Sequence, residues 1–377
     1  MRIGISCYPT VGGSGAVATE LGKALAHKGH QVHFIVTDVP FRLGEFHQNI
    51  FVHEEDTSTY PVLRTPLYDL SLAALMARTI REQNLDILHV HYALPFAVCA
   101  FLAKQMTENH HCKVVTTLHG TDITVLAQDS SLYDVIQLGI ARSDAVTAVS
   151  YSLAEQTQVL FPHSPSIQTI HNFVDPDVFR PVCHPDMRRC FAADDEKILL
   201  HISNFRAVKR VTDVVRVFVR VQERVKSRLL LVGEGPEEGA ARNLVQELDL
   251  ASKVRFLGRQ DEVADLFATA DLLLLPSQKE SFGLVALEAM STGVPVVGSR
   301  AGGIPEVVAH GKTGFLTEIG DIATMSEEAI RLLTDDELYH RMSVAGRERA
   351  QTQFHIQDKV AEYESLYVSL LDVAGKK

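Results

Sequence analysis

The sequence predicts an α/β chain made of two doubly wound, Rossmann-like domains. Three observations predict it. Apolar runs rich in Val, Ile and Leu alternate with helical patterns along nearly the whole chain, as in parallel sheets covered by helices. The length, 377 residues, suits two domains of ordinary size. Near the middle, His171 to Phe179 breaks the alternation and contains Pro176, with Pro181 just beyond, so it reads as a linker.

Taken in order, the first-half strands are expected at 2–8, 31–37, 50–55, 87–92, 113–119, 145–150 and 167–172. Those of the second half are expected at 197–203, 228–234, 254–258, 271–277 and 294–299. Met1-Arg2-Ile3-Gly4-Ile5 reads directly as a strand, not as a leader peptide. Gly12-Gly13-Ser14-Gly15 follows the first strand and opens a helix from Ala16 to Lys28. Domains are expected at 1–172 and 173–355, with an amphipathic helix in 356–377.

Composition narrows the function. A chain 46% hydrophobic and 22% charged is globular, not disordered. A net charge of -11 argues against a nucleic-acid partner. The longest apolar stretch, Ala93 to Ala103, is too short to span a bilayer, so no stable membrane association is expected. Cys7, Cys99, Cys112, Cys183 and Cys190 are scattered and odd in number, which argues for a reduced, cytoplasmic chain. The Cys183–Cys190 spacing fits no standard metal site.

The most informative stretch is Glu280-Ser-Phe-Gly-Leu-Val-Ala-Leu-Glu288. It follows the apolar run Asp271 to Pro276 and opens a helix reaching about Ser291. Phe282-Gly283 breaks the chain, and the first-turn N–H groups around Gly283 and Leu284 lack partners and favour an anion. Glu280 before that turn and Glu288 inside the helix flank a phosphate-sized site. Carboxylates accept hydrogen bonds from hydroxyls, so a sugar nucleotide suits the arrangement. The plain alternative is a strand–loop–helix with two solvated glutamates.

Other strand ends add candidates. His89-Val-His91 places two imidazoles on one face; packed histidines explain this better than a metal pair without a third ligand. Tyr92, at the strand end, is the better substrate contact. His119, followed by Gly120, is expected to be exposed at its strand end, and Asp122 either caps the next turn or has a functional part. Arg206 and Lys209 follow the first strand of the second half, where fixed cations would stabilise a departing diphosphate without a metal. Asp175-Pro-Asp177 imitates an Asp-x-Asp metal motif but lies in the linker and reads as a turn. No cofactor and no metal are expected.

The glutamate pair with Ser281-Phe282-Gly283 and the trailing helix closely resembles the signature of retaining glycosyltransferases of family 4. The resemblance covers essentially the full chain. It implies the GT-B fold: two Rossmann-like domains facing across a cleft, the last helix returning to the first domain. It implies that Gly12 and Gly13 close over the donor diphosphate and that His119 places the donor sugar. Arg206 and Lys209 would hold the diphosphate, although the family usually has Arg and Lys five residues apart and here they are three apart. Glu280 would hold sugar hydroxyls and Glu288 the ribose, with Phe282, Gly283 and Leu284 lining the donor site. Gly302-Gly-Ile-Pro-Glu306 is a family landmark expected to shape the donor pocket.

Further stretches, Cys7 to Gly15, Pro40 to Leu43, His89 to Pro95, Leu118 to Leu126 and Ile202 to Arg206, resemble one branch of the family. That branch joins UDP-N-acetylglucosamine to L-malate in the first step of bacillithiol biosynthesis. It implies an acceptor pocket with Ser14, Tyr92 and Thr116, and with Arg42 or Arg142 for the carboxylates if either is more than a surface arginine. Rival readings are a related enzyme with a lipid or polysaccharide acceptor, a GT-B-type 2-epimerase, or a non-catalytic sensor. Oligomeric state is left open, a homo-oligomer included.

Overall fold

The computed structural model describes residues 1–9, 12–44, 46–54, 67–107, 111–182 and 184–374. Two compact units emerge: Met1–Asn172 with Ile356–Lys377, and Phe173–His355.

The first unit holds a seven-stranded sheet. Its strands are β1 (Arg2–Ser6), β2 (Gln31–Val36), β3 (Ile50–Glu54), β4 (Ile87–His91), β5 (Lys113–Leu118), β6 (Ala145–Ala148) and β7 (Ile167–Thr169). The order is β3-β2-β1-β4-β5-β6-β7, every pairing parallel. Central strands are buried on both faces, which is why β4 and β5 read as almost unbroken buried runs. The order reverses between β1 and β4, opening a crevice at their carboxyl ends where such sheets take ligands.

The second unit repeats the design with six strands. These are β8 (Lys197–Ile202), β9 (Ser227–Val232), β10 (Val254–Gly258), β11 (Leu272–Leu275), β12 (Val296–Ser299) and β13 (Gly314–Thr317). The order is β10-β9-β8-β11-β12-β13, again parallel, reversing between β8 and β11. Phe218 and Val214 of helix Val211–Gln222 pack with Leu199, Leu229 and Leu231 in its core.

β13 is absent from the sequence expectation. Its four residues begin with glycine and gain strand character from pairing with β12, Val296 opposite Gly314 through Ser299 opposite Thr317. The first helix spans Gly13–His27, starting earlier than expected because extended Gly12 already accepts the Ala16 N–H through its carbonyl at 3.1 Å. Asp175-Pro-Asp177 is a turn, with the Asp175 carboxylate accepting the Asp177 N–H at 2.9 Å. Cys7, Cys99 and Cys112 are buried free thiols, and Cys183 lies outside the described residues.

Helix Ile356–Ala374 belongs to the first unit. It buries Tyr363 and Tyr367 there, and Glu364 pairs with Lys28 and His30. The Tyr367 hydroxyl meets His89 Nδ1 at 2.7 Å.

Candidate active site

In the second unit, two loops leave the carboxyl ends of β8 and β11, either side of the reversal in strand order. The loop after β8 forms a short 3-10 turn, Ala207–Lys209. The Gln278 N–H of the other loop donates to the Val208 carbonyl at 2.7 Å, stitching the two together. Lys209 Nζ then donates to Glu280 Oε2 at 2.6 Å, with both side chains about four-fifths buried. Two expected site side chains of the second unit are thus in direct contact. Arg206, at the entry to the same turn, is exposed.

Glycines hold these loops in place. Gly302 sits at φ 50, and a Cβ there would collide with the Glu280 carbonyl oxygen. The Gly303 N–H donates to that carbonyl at 2.9 Å. The landmark loop therefore fixes the Glu280 backbone. Gly233 and Gly235 play the same part for the loop after β8, where a Cβ on either would strike the Ser203 or Asn204 carbonyl. That pair was missed by sequence reasoning, though Gly-x-Gly at the end of a strand was the available signal.

Gly283, at φ 100, starts helix Leu284–Ser291 in a left-handed conformation that disfavours a side chain. Phe282 is buried against Phe354. Glu288 lies just over a turn into the helix and is only 4% exposed. A buried carboxylate so placed needs hydrogen-bond donors.

In the first unit, Gly12 has no described atom within 4 Å of where a Cβ would be, and Ser14 is half-buried in the first helical turn. N–H groups of that turn lack intrahelical acceptors. After β4, Tyr92 adopts φ 88, a strained conformation for a tyrosine, and packs its ring against Tyr8 and His119. Asp122 is fully buried; its carboxylate accepts the Ala93 N–H at 2.9 Å and the Gly120 N–H at 3.0 Å. It pins the loop after β4 to the loop after β5, which goes beyond the turn cap that was one of its two expected readings.

Two expectations need correction. His119 is buried, not exposed, at 8% of its surface. The reason is His91, whose Nδ1 meets His119 Nε2 at 2.8 Å and draws the ring inward. Thr116 is fully buried with its hydroxyl bonded to Ser143 Oγ at 2.8 Å, so it offers no atom to an acceptor. Strand alternation puts it on the face opposite Thr117, which bonds His89 Nε2 at 2.7 Å. Arg42 lies over the Phe41 ring and Arg142 over the Phe101 ring.

Burial keeps the imidazoles neutral. It pushes His89 and His119 down to about 3 and His91 well below its ordinary 6.5, each also burdened by neighbouring histidines except His119. Burial raises Asp122 to about 6, against the pull of its N–H partners. The signs oppose. The unfolded histidines bind protons below 6.5 that the folded ones refuse, so their stabilisation is full above 6.5 and lost as pH falls towards 3. Asp122 stabilises fully below 3.8 and loses this as pH rises to about 6. Three imidazoles outweigh one carboxyl, so the urea midpoint is expected to fall between about pH 7.5 and about pH 5. A flat or rising midpoint in urea titrations would contradict the neutral, buried assignment.

Comparison with known proteins decides the family. The family model described as Glycosyltransferase Family 4 matches residues 11–178, and that described as Glycosyl transferases group 1 matches residues 186–349. The chain is 51% identical over 379 aligned positions to the N-acetyl-alpha-D-glucosaminyl L-malate synthase of Bacillus anthracis, covering 100% of this chain and 99% of that one. This chain belongs to glycosyltransferase family 4. A more distant relative of the glycosyltransferase is the GDP-mannose-dependent monoacylated alpha-(1-6)-phosphatidylinositol monomannoside mannosyltransferase of Corynebacterium glutamicum, 28% identical over 80% of this chain and 82% of that one. Among solved structures, the glycosyltransferase resembles sucrose-phosphate synthase from Thermosynechococcus elongatus, with a TM-score of 0.82, 23% identity and coverage of 99% and 100%. Anabaena HepE in complex with UDP and glucose aligns with a TM-score of 0.80, 21% identity and coverage of 98% and 100%. These likenesses show the GT-B fold. No described helix is long and apolar enough to cross a membrane.

Proposed function

We propose that this glycosyltransferase moves N-acetylglucosamine from UDP-N-acetylglucosamine to the hydroxyl of L-malate, releasing UDP in the first step of bacillithiol biosynthesis. The observation that carries this reading is the 51% identity, over the full length, to the relative so named. Both substrates are soluble metabolites, and the reading puts the enzyme in the cytoplasm.

On this reading the second unit binds the donor and the first the acceptor. Glu288 accepts hydrogen bonds from ribose hydroxyls and Glu280 from the sugar. Phe282, Gly283 and Leu284 line the donor site around the first helical turn. Arg206, Lys209 and the backbone of Gly12 and Gly13 hold the diphosphate, whose charge grows as the bond to the anomeric carbon breaks. The malate hydroxyl forms the new bond on the same face and its proton passes to the leaving phosphate oxygen, so configuration is retained. The chain's contribution is positioning and charge stabilisation. Ser14 and Tyr92 are the acceptor candidates on this reading. Malate also needs a cation for its carboxylates, a part open to Arg42 or Arg142.

The test is UDP release from UDP-N-acetylglucosamine with and without L-malate. Release is expected only with malate. Glu288→Gln is expected to raise the donor KM about 10- to 100-fold, the cost of losing charged hydrogen bonds to hydroxyls. Donor binding without malate-dependent release would exclude malate as acceptor while leaving the donor site standing.

A further inference from the structure

The first unit carries an unusual line of three buried histidines. His89 stacks on His91 with ring centroids 4.4 Å apart, and His91 stacks on His119 at 5.1 Å. Both nitrogens of His89 are partnered, Nδ1 by the Tyr367 hydroxyl and Nε2 by Thr117 Oγ1. His91 differs. Its Nδ1 shares a hydrogen bond with His119 Nε2, but its buried Nε2 has no partner among the described residues.

That asymmetry decides which way the proton lies. Two neutral imidazoles joined through Nδ1 and Nε2 have two arrangements. In one, His119 donates from Nε2, and the proton of His91 must sit on its own Nε2, a buried N–H with nothing to receive it. In the other, His91 donates from Nδ1 and its Nε2 carries only a lone pair. Orphaned buried N–H groups are rarer in folded proteins than under-satisfied acceptors. The second arrangement is therefore the stable one, and it leaves the proton of His119 on Nδ1. His119 as a whole keeps 8% of its surface exposed.

We infer that His91 is a positioning residue that holds His119 as the neutral Nδ1–H tautomer, so that His119 meets the sugar nucleotide as a hydrogen-bond donor and never as an acceptor. Its role at the donor rests on the proposed function; the tautomer itself does not. The ligand atom it suits is an oxygen with a free lone pair, a sugar hydroxyl or a phosphate oxygen. Held this way, His119 does not take up the acceptor's proton, which leaves that proton to the departing phosphate.

The test reads the tautomer directly. Protein labelled with 15N-histidine, ligand-free at neutral pH, is examined by long-range 1H–15N correlation, with His119→Asn assigning the signals. His119 is expected to carry its proton on Nδ1 with Nε2 bare; the reverse pattern overturns the inference whether or not the enzyme uses malate. Kinetics supply a second readout. His91→Asn keeps an N–H near the position of Nδ1 and is expected to retain kcat within about threefold, while His91→Leu is expected to lose about tenfold or more, the worth of one directed hydrogen bond. Equal losses in both variants, with thermal melts unchanged, would show that the His91 N–H does not matter and would also overturn it. If wild type gives no malate-dependent UDP release, the functional reading fails while the spectrum still tests the tautomer.

Discussion

Lys209→Ala is expected to lower kcat for UDP release about 10²- to 10³-fold, the usual cost of removing one preorganised charge from a transition state that builds negative charge. Lys209 is held for this role before any ligand arrives. Its ammonium is fixed at 2.6 Å from Glu280 and the loop that carries it is tied to the neighbouring loop through Gln278. An ordered cation pays no reorganisation at the moment of bond breaking. The variant also leaves Glu280 without its ion pair, so Lys209→Met should behave alike and Lys209→Arg should recover part of the loss. The effect belongs mainly to kcat, because the charge it answers grows only as the sugar departs. Steady-state UDP release checks the prediction, with thermal melts confirming the fold. A kcat within a few-fold of wild type would remove Lys209 from the diphosphate site and leave its contact with Glu280 as a structural ion pair.

Gly302→Ala is expected to be damaging in a different way. The backbone at φ 50 costs a non-glycine residue about 1–2 kcal/mol. The added Cβ must also push away the Glu280 carbonyl, which would break the hydrogen bond from Gly303. For a unit of this size the combined loss should lower Tm by roughly 5 °C or more. Because the displaced atom belongs to Glu280, activity should fall at least about tenfold even below the melting range. Gly239→Ala is the control: it has open space around its Cβ position and lies in helix Glu238–Glu247, where alanine is expected to be neutral or to stabilise by about 0.5–1 kcal/mol. Differential scanning calorimetry and UDP release on both variants check the pair. Equal melting temperatures would contradict the steric account of the landmark loop.

How much of this was legible in the chain depends on the range of the physics. Strand–helix alternation is local, and β1, β2, β4 and β5 stand close to where their apolar runs put them. β13 was not legible, because Gly-Phe-Leu-Thr is a strand only by virtue of the neighbour it pairs with. The pairing of Lys209 with Glu280 joins residues 71 positions apart and follows from strand order, which no local pattern encodes. The burial of His119 was misread for the same reason. Glycine after a strand signals an open end, but the partner that draws the ring inward sits on the next strand. Thr116 is another matter. It lies inside a central strand covered on both faces, so its burial was readable from its position in the apolar run.

Helix Ile356–Ala374 has a consequence for how the chain is made. The first unit is discontinuous: it takes its opening 172 residues from one side of the second unit and this helix from the other. The second unit is a single continuous stretch, and its two ends are joined by the Val174 N–H donating to the Phe354 carbonyl at 3.0 Å. Synthesis runs in one direction, so the sheet that emerges first must wait, with the sites for Tyr363 and Tyr367 still open, while the later unit is completed. The unit begun first is thus the one completed last. A truncation that removes the helix would strip two buried tyrosines from the half of the protein farthest from the cut in sequence.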